Sequence, residues 1–143
     1  EYKMYESAST LSYVYQMYQD TGGAHPNTYY RTFTFDKESG DALELGDVFV
    51  PSAAYLETLS VQARSKLPAM IAVMESVSVS EVDTDYINSG TLPEADSFQN
   101  FYFEGKNLVL LFPPYQIGPY VLGMITLPIA TSELKELKSE YTK

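Results

Sequence analysis

The 143-residue chain has no cysteine, no tryptophan and one histidine, and it carries 9 basic residues against 19 acidic ones. Without cysteine there are no disulfides, thiolate metal sites or cysteine nucleophiles, and the compartment stays open. The acidic excess gives a formal net charge of −10. Such a surface repels phosphate backbones, so nucleic acid is not an expected partner, whereas a cationic partner is steered towards it. No apolar run reaches the roughly 18 residues needed to cross a bilayer, and no secretory leader opens the chain. The sequence begins at Glu1 in what already reads as a strand. The expectation is therefore a piece of a longer protein, with any export signal or membrane anchor outside it.

Scarcity also limits the chemistry. One histidine cannot build a His-rich zinc site, and a carboxylate-only site would leave it unneeded. A serine nucleophile needs a base and an orienting acid, yet no G-x-S-x-G elbow is present and His25 sits among turn residues. A glycosidase needs only two carboxylates, but no spacing singles out a pair and no tryptophan is available to stack a sugar. Glu81, Asp83 and Asp85 in EVDTD lack the glycine of a calcium loop and read as a solvated acidic face. No catalytic residue, metal ion or cofactor is expected.

What is abundant is tyrosine: 13 Tyr and 7 Phe in a chain that is 45% apolar. The length suits one domain, residues 1–143, able to fold on its own core. Residues 2–18 read as one bent strand or a hairpin. Leu11, Tyr13, Tyr15 and Met17 share one face, with Val14 and Tyr18 on the other. TGGAHPN is a breaker cluster in which Gly22 and Gly23 supply special backbone angles and His25 pins the turn. TYYRTFTF alternates as a strand. DKESGD reads as a tight turn with Gly40 at positive φ.

Residues 52–67 form an amphipathic helix with Ser52 as cap and Tyr55, Leu56, Leu59, Ala63 and Leu67 as its stripe. The helix extends to about Glu75. VSVSEV reads as extended, residues 83–87 as a short turn of helix, and 88–96 as loop. FQNFYF-EGKN-LVLLF is a hairpin whose second arm, apolar on both faces, should be a central strand. YVLGMITLPI is a further strand. TSELKELKSEY closes as a short helix capped by Thr131 or Ser132, with Leu134 and Leu137 facing inward. The pattern predicts an α+β fold: an antiparallel sheet with a central amphipathic helix and a short C-terminal helix on one face.

The series GGAH (22–25), SGDALELGDVF (39–49) and FPPYQIGPYVLG (112–123), in this order and spacing, resembles the extracytoplasmic domain of RsiV-type, lysozyme-sensing anti-sigma factors. Related domains accompany PdaC-type polysaccharide deacetylases and many bacterial envelope proteins and lipoproteins. The likeness covers roughly residues 8–137. It implies a non-catalytic domain in the bacterial cell envelope, and for the best-known members it implies recognition of lysozyme.

In FPPYQIGPY, Pro113 and Pro114 end the strand and Gly118 and Pro119 make a second stop. The loop between them is a stiff structural corner or a binding ledge. Tyr115, Tyr120, Tyr86, Asp83 and Asp85 are the expected contact residues for a basic protein such as lysozyme. The rival expectation is a cell-wall glycan held in an aromatic groove, which Tyr13, Tyr15, Tyr29 and Tyr30 could line.

Overall fold

A computed structural model describes residues 1–22, 26–51 and 53–143. The expected roles of Gly23, His25 and Ser52 lie outside the described residues.

Among the described residues, two antiparallel sheets and two α-helices build an α+β fold. The larger sheet contains β1 (Tyr2–Glu6), β2 (Thr10–Gln19), β3 (Asn27–Asp36) and β4 (Ala42–Leu43), in that order. The N-terminal run is therefore a hairpin, and Ser7 closes it by accepting the Ser9 and Thr10 N–H groups on its Oγ. Gly22 and Gly40 adopt φ of +76° and +79°, as their turns require. At the second of these turns Asp36 Oδ1 accepts the N–H groups of Glu38 and Ser39.

The smaller sheet has the order β5 (Phe101–Glu104), β6 (Asn107–Phe112), β7 (Ile125–Ala130). Glu104 pairs with Asn107 across a two-residue loop. Its first residue, Gly105, has φ +57°, the signature of a primed hairpin turn. Pro128 lies exposed on the edge strand β7, where its missing N–H costs no ladder bond.

Strand β6 is the apolar centre. Leu108, Leu110 and Phe112 point to one side, where they meet Phe101, Phe103, Ile125, Leu127 and Ile129 from the neighbouring strands. Helix α1 (Tyr55–Glu75) seals that side with Leu59, Ala63, Leu67 and Ile71. It runs through Pro68 and ends at Ser76 in the left-handed conformation. The other side of β6 presents Val109 and Leu111, which pack with Val14 and Tyr102 beneath the larger sheet. The smaller sheet is thus the middle layer, between α1 and the larger sheet.

Beside that apolar cluster, the contact between the sheets is polar. Ser12 and Thr34 share a hydrogen bond at 3.0 Å, and Thr34 Oγ1 donates to the Phe101 carbonyl at 3.2 Å. The Phe101 N–H donates to Thr32 Oγ1, and the Thr32 N–H to Asn100 Oδ1. Hydroxyls of β3 thereby satisfy the open edge of β5, which blunts an edge that could pair with another chain.

Several local expectations are corrected. VSVSEV is no strand: Val79–Glu81 is a 3-10 turn, with Ser78 and Glu81 closing a capping box. Helix α2 (Thr84–Gly90) runs past residue 87 into the expected loop, with Asp83 as its cap. Strand β7 begins only at Ile125, because Gly123 at φ +66° separates it from a 3-10 turn over Tyr120–Leu122. The C-terminal helix is absent. Thr131–Glu133 and Ser139–Tyr141 are 3-10 turns, and the cap position is Ala130, not Thr131 or Ser132. The reason is competition for backbone groups. The Val50 N–H takes the Glu136 carbonyl, the Lys138 N–H takes the Val48 carbonyl, and Leu137 bridges Phe49. A helix would need those same groups. Leu134 and Leu137 still face inward.

Candidate binding surface

The expected aromatic groove is split by strand parity. The register places Tyr2, Met4, Tyr13, Tyr15, Met17, Tyr29, Phe33 and Phe35 on the outer face of the larger sheet, and Tyr5, Val14, Gln16 and Tyr30 on the inner face. Tyr13, Tyr15 and Tyr29 therefore cannot share a groove with Tyr30. On the outer face, rings pack against each other: Tyr15 meets Phe33 edge-on with centroids 5.7 Å apart, and Tyr13 meets Phe35 likewise at 6.3 Å.

The inner face carries a cleft of about 410 Å³ where the two sheets diverge. Tyr5, Val14, Gln16 and Tyr30 form one wall, and Tyr102, Leu111, Met124 and Thr126 of the smaller sheet and its approach form the other. Tyr5 stacks on Tyr102 at 4.2 Å. Burial, then the neighbouring Tyr5 and a hydrogen bond to it, hold the Tyr102 phenol well above the ordinary phenol range. Burial, then the nearby Tyr120 phenol, raises that of Tyr30. These hydroxyls remain protonated donors at neutral pH. Tyr5, Tyr102 and Met124 were not anticipated. The available signal was Tyr102 itself, a polar-tipped ring at the centre of FYF, where the flanking phenylalanines point into the core.

The expected contact residues fall in one neighbouring region. Tyr115 and Tyr120 form a tilted ring pair at 5.3 Å, with Tyr115 52% exposed. Asp83 and Tyr86 line a second cleft of about 350 Å³ with Glu75, Glu81, Ile117, Gly118 and Pro119. Asp85 stands exposed in the first turn of α2. Two of the acids have local duties. Asp83 accepts the Tyr86 N–H, and Glu81, its carboxyl held below the ordinary range by the Ser78 hydroxyl and N–H, caps the preceding turn. Among the described residues, no group of three acids or histidines is placed to hold a metal ion.

The corner between Pro113 and Pro119 is built to be rigid. Strand β6 stops at Phe112, directly before Pro113 and Pro114. Ile117 is buried in the core. Gln116 Nε2 donates to the carbonyls of Gly90 and Ser97 at 3.0 and 2.8 Å. A Cβ on Gly90 would lie 1.9 Å from the Gln116 carbonyl oxygen, so only glycine allows this approach of α2 to the loop. Tyr115 is held at φ +71°, a left-handed conformation that costs a residue with a side chain about 1–2 kcal/mol. The loop is thus a fixed structural corner through Gln116 and Ile117, with Tyr115 and Tyr120 on its exposed side.

A profile of the family described as "Protein of unknown function (DUF3298)" matches residues 46–132, well over half of the chain. The chain belongs to the DUF3298 family. This DUF3298 chain is 30% identical over 143 residues to the peptidoglycan-N-acetylmuramic acid deacetylase PdaC of Bacillus subtilis, covering 99% of the chain and 29% of that protein. It is 23% identical over 129 residues to an esterase of Mycobacterium tuberculosis, covering 90% of the chain and 52% of that protein. It thus spans only part of the length of either relative. Crystal structures of DUF3298 proteins share the fold. One from Pseudomonas aeruginosa superposes with TM-score 0.76 at 18% identity, over 99% of this chain and 62% of that one. One from Bacteroides fragilis gives 0.68 at 22%, over 92% and 50%. The family profile begins after the larger sheet, so the tyrosine-bearing strands β1–β4 lie outside it.

Proposed function

We propose that this DUF3298 domain is a non-catalytic recognition module of a bacterial envelope protein, working outside the cytoplasm and binding cell-wall glycan. The observation that carries this reading is the tyrosine-walled cleft between the sheets. Ring faces supply apolar area at low entropic cost, and their hydroxyls, with Gln16 and Thr126, supply orienting polar groups. Similarity to an enzyme named for a peptidoglycan substrate supports the wall as the setting. The test is co-sedimentation of the isolated domain with purified peptidoglycan sacculi at low and high salt. Stacking contacts predict binding that barely responds to salt. Absence of pelleting at both salts overturns the reading.

A basic protein such as lysozyme is the second reading. It is favoured by the acidic cleft of Glu75, Glu81 and Asp83 beside Tyr86, next to the exposed Tyr115–Tyr120 pair. The likeness to lysozyme-sensing RsiV-type domains points the same way. Here calorimetric titration with lysozyme should show affinity that falls steeply with ionic strength and drops about tenfold in Tyr115→Ala, the loss of one aromatic anchor. No heat of binding at low salt would remove this reading.

A further inference from the structure

The cleft and the ledge adjoin each other in the fold. Tyr102 and Tyr5 stack at the inner end, and Tyr30 shares their cleft. Tyr120, whose phenol lies near that of Tyr30, pairs with Tyr115 at the outer end. Met124, one residue beyond the Gly123 break that follows the Tyr120 turn, lines the cleft. The chain thus leads directly from ledge to cleft.

We propose that the cleft and the Tyr115–Tyr120 ledge form one continuous track for a linear, uncharged glycan, with Tyr30 at the junction. This rests on the glycan reading above and specifies its site, ligand charge and minimum length.

Charge selects the ligand class. Although the chain carries −10 overall, the charged residues lining the cleft among the described residues are Glu1 and Lys3, one of each sign. With the two signs balanced, the lining favours neither an anion nor a cation. A pyranose ring does, because its C–H faces suit the tyrosine rings and its hydroxyl rim suits phenol, amide and threonine groups. Size selects the length. A volume of about 410 Å³ is at the low end for small-molecule sites and accommodates a ring or two. Further rings of a longer chain would continue over Tyr120 and Tyr115. The ledge is rigid enough to serve, since Gln116, Ile117 and the close approach of Gly90 fix its backbone before any ligand arrives.

The probes are N-acetylglucosamine, its dimer and its hexamer, which are uncharged and linear, titrated calorimetrically into the unmodified domain. The track predicts that the hexamer binds at least about tenfold more tightly than the dimer, because the dimer fills the cleft alone. Tyr30→Ala and Tyr120→Ala should each weaken the hexamer about tenfold, while the dimer loses affinity only in Tyr30→Ala. Tyr30→Phe, which keeps the ring and its packing, should lose only a few-fold. Equal affinity for dimer and hexamer, or a hexamer indifferent to both alanine variants, overturns the track. If the domain still pellets with sacculi in that case, the glycan reading survives and only its assigned site is lost. If it neither pellets nor binds the hexamer, both fall together.

Discussion

The two sheets use similar residues for opposite ends. In the smaller sheet, NLVLLF is buried on both faces, and its leucines and phenylalanines are the core. In the larger sheet, the richer set of rings faces outward, and serine, threonine and valine face inward. The inner face can be polar because it packs on the edge of β5, whose backbone groups need hydrogen-bond partners more than apolar cover. One sheet is therefore fold and the other is surface, and the cleft lies where they part.

That division can be broken by substitution. Leu110→Ala removes a fully buried side chain between helix and sheet and should lower stability by about 3 kcal/mol in urea denaturation. Phe33→Ser on the outer face should change it by no more than about 1 kcal/mol despite deleting a larger side chain. Equal losses would mean that the outer face is covered in the native protein. Gly90→Ala sets a Cβ against the Gln116 backbone and should lose about 1–3 kcal/mol. Because the loop must shift, the same variant should weaken ligand binding without touching a ring. Thr34→Val tests the polar seam. It leaves the Ser12 hydroxyl and the Phe101 carbonyl without their Thr34 partner at nearly constant volume, for a loss of about 1–2 kcal/mol.

The smallest effect is on pH dependence. Burial, then the hydrogen bond to and charge of Asp36, pushes the Tyr141 phenol up to about 12. Its folded value is raised, so its contribution is complete below the unfolded value of about 10 and is lost as pH rises towards about 12. The Ser39 N–H first, with the Glu38 N–H and the Tyr141 hydroxyl, holds the Asp36 carboxyl below the ordinary range. Its contribution is complete above the unfolded value of about 4 and is lost as pH falls through the lower folded value. Denaturation of Tyr141→Phe across pH should show a shallower loss of stability at both extremes. An unchanged profile would remove the Tyr141–Asp36 pair as a source of either.

Much of this was legible beforehand. Period-two alternation marked β2 and β3, the doubly apolar run marked β6 as central, and Gly-Pro and Pro-Pro steps marked the stiff corner. Alternation separates two faces without saying which one is buried. At β2 the buried face carries Thr10, Ser12 and Val14, while Tyr15 and Met17 stand exposed on the other. The C-terminal segment had helical spacing, but a backbone bridge from Val48–Val50 claimed its carbonyls and N–H groups, a tertiary event with no local sign. The cleft was half legible. Tyr30 was in view, but its partners Tyr5, Tyr102 and Met124 come from three distant stretches that only the pairing of two sheets brings together.

The five methionines provide a direct test of where recognition happens. Met124 lines the cleft, Met4 and Met17 stand on the outer sheet face, Met74 is exposed on α1 and Met70 packs against the core. A methyl spectrum recorded without and with soluble glycan strands from purified cell wall reads all of these surfaces at once. The account predicts that the Met124 signal moves while Met4, Met17 and Met74 hold still. Movement of Met4 and Met17 with Met124 unchanged would contradict it.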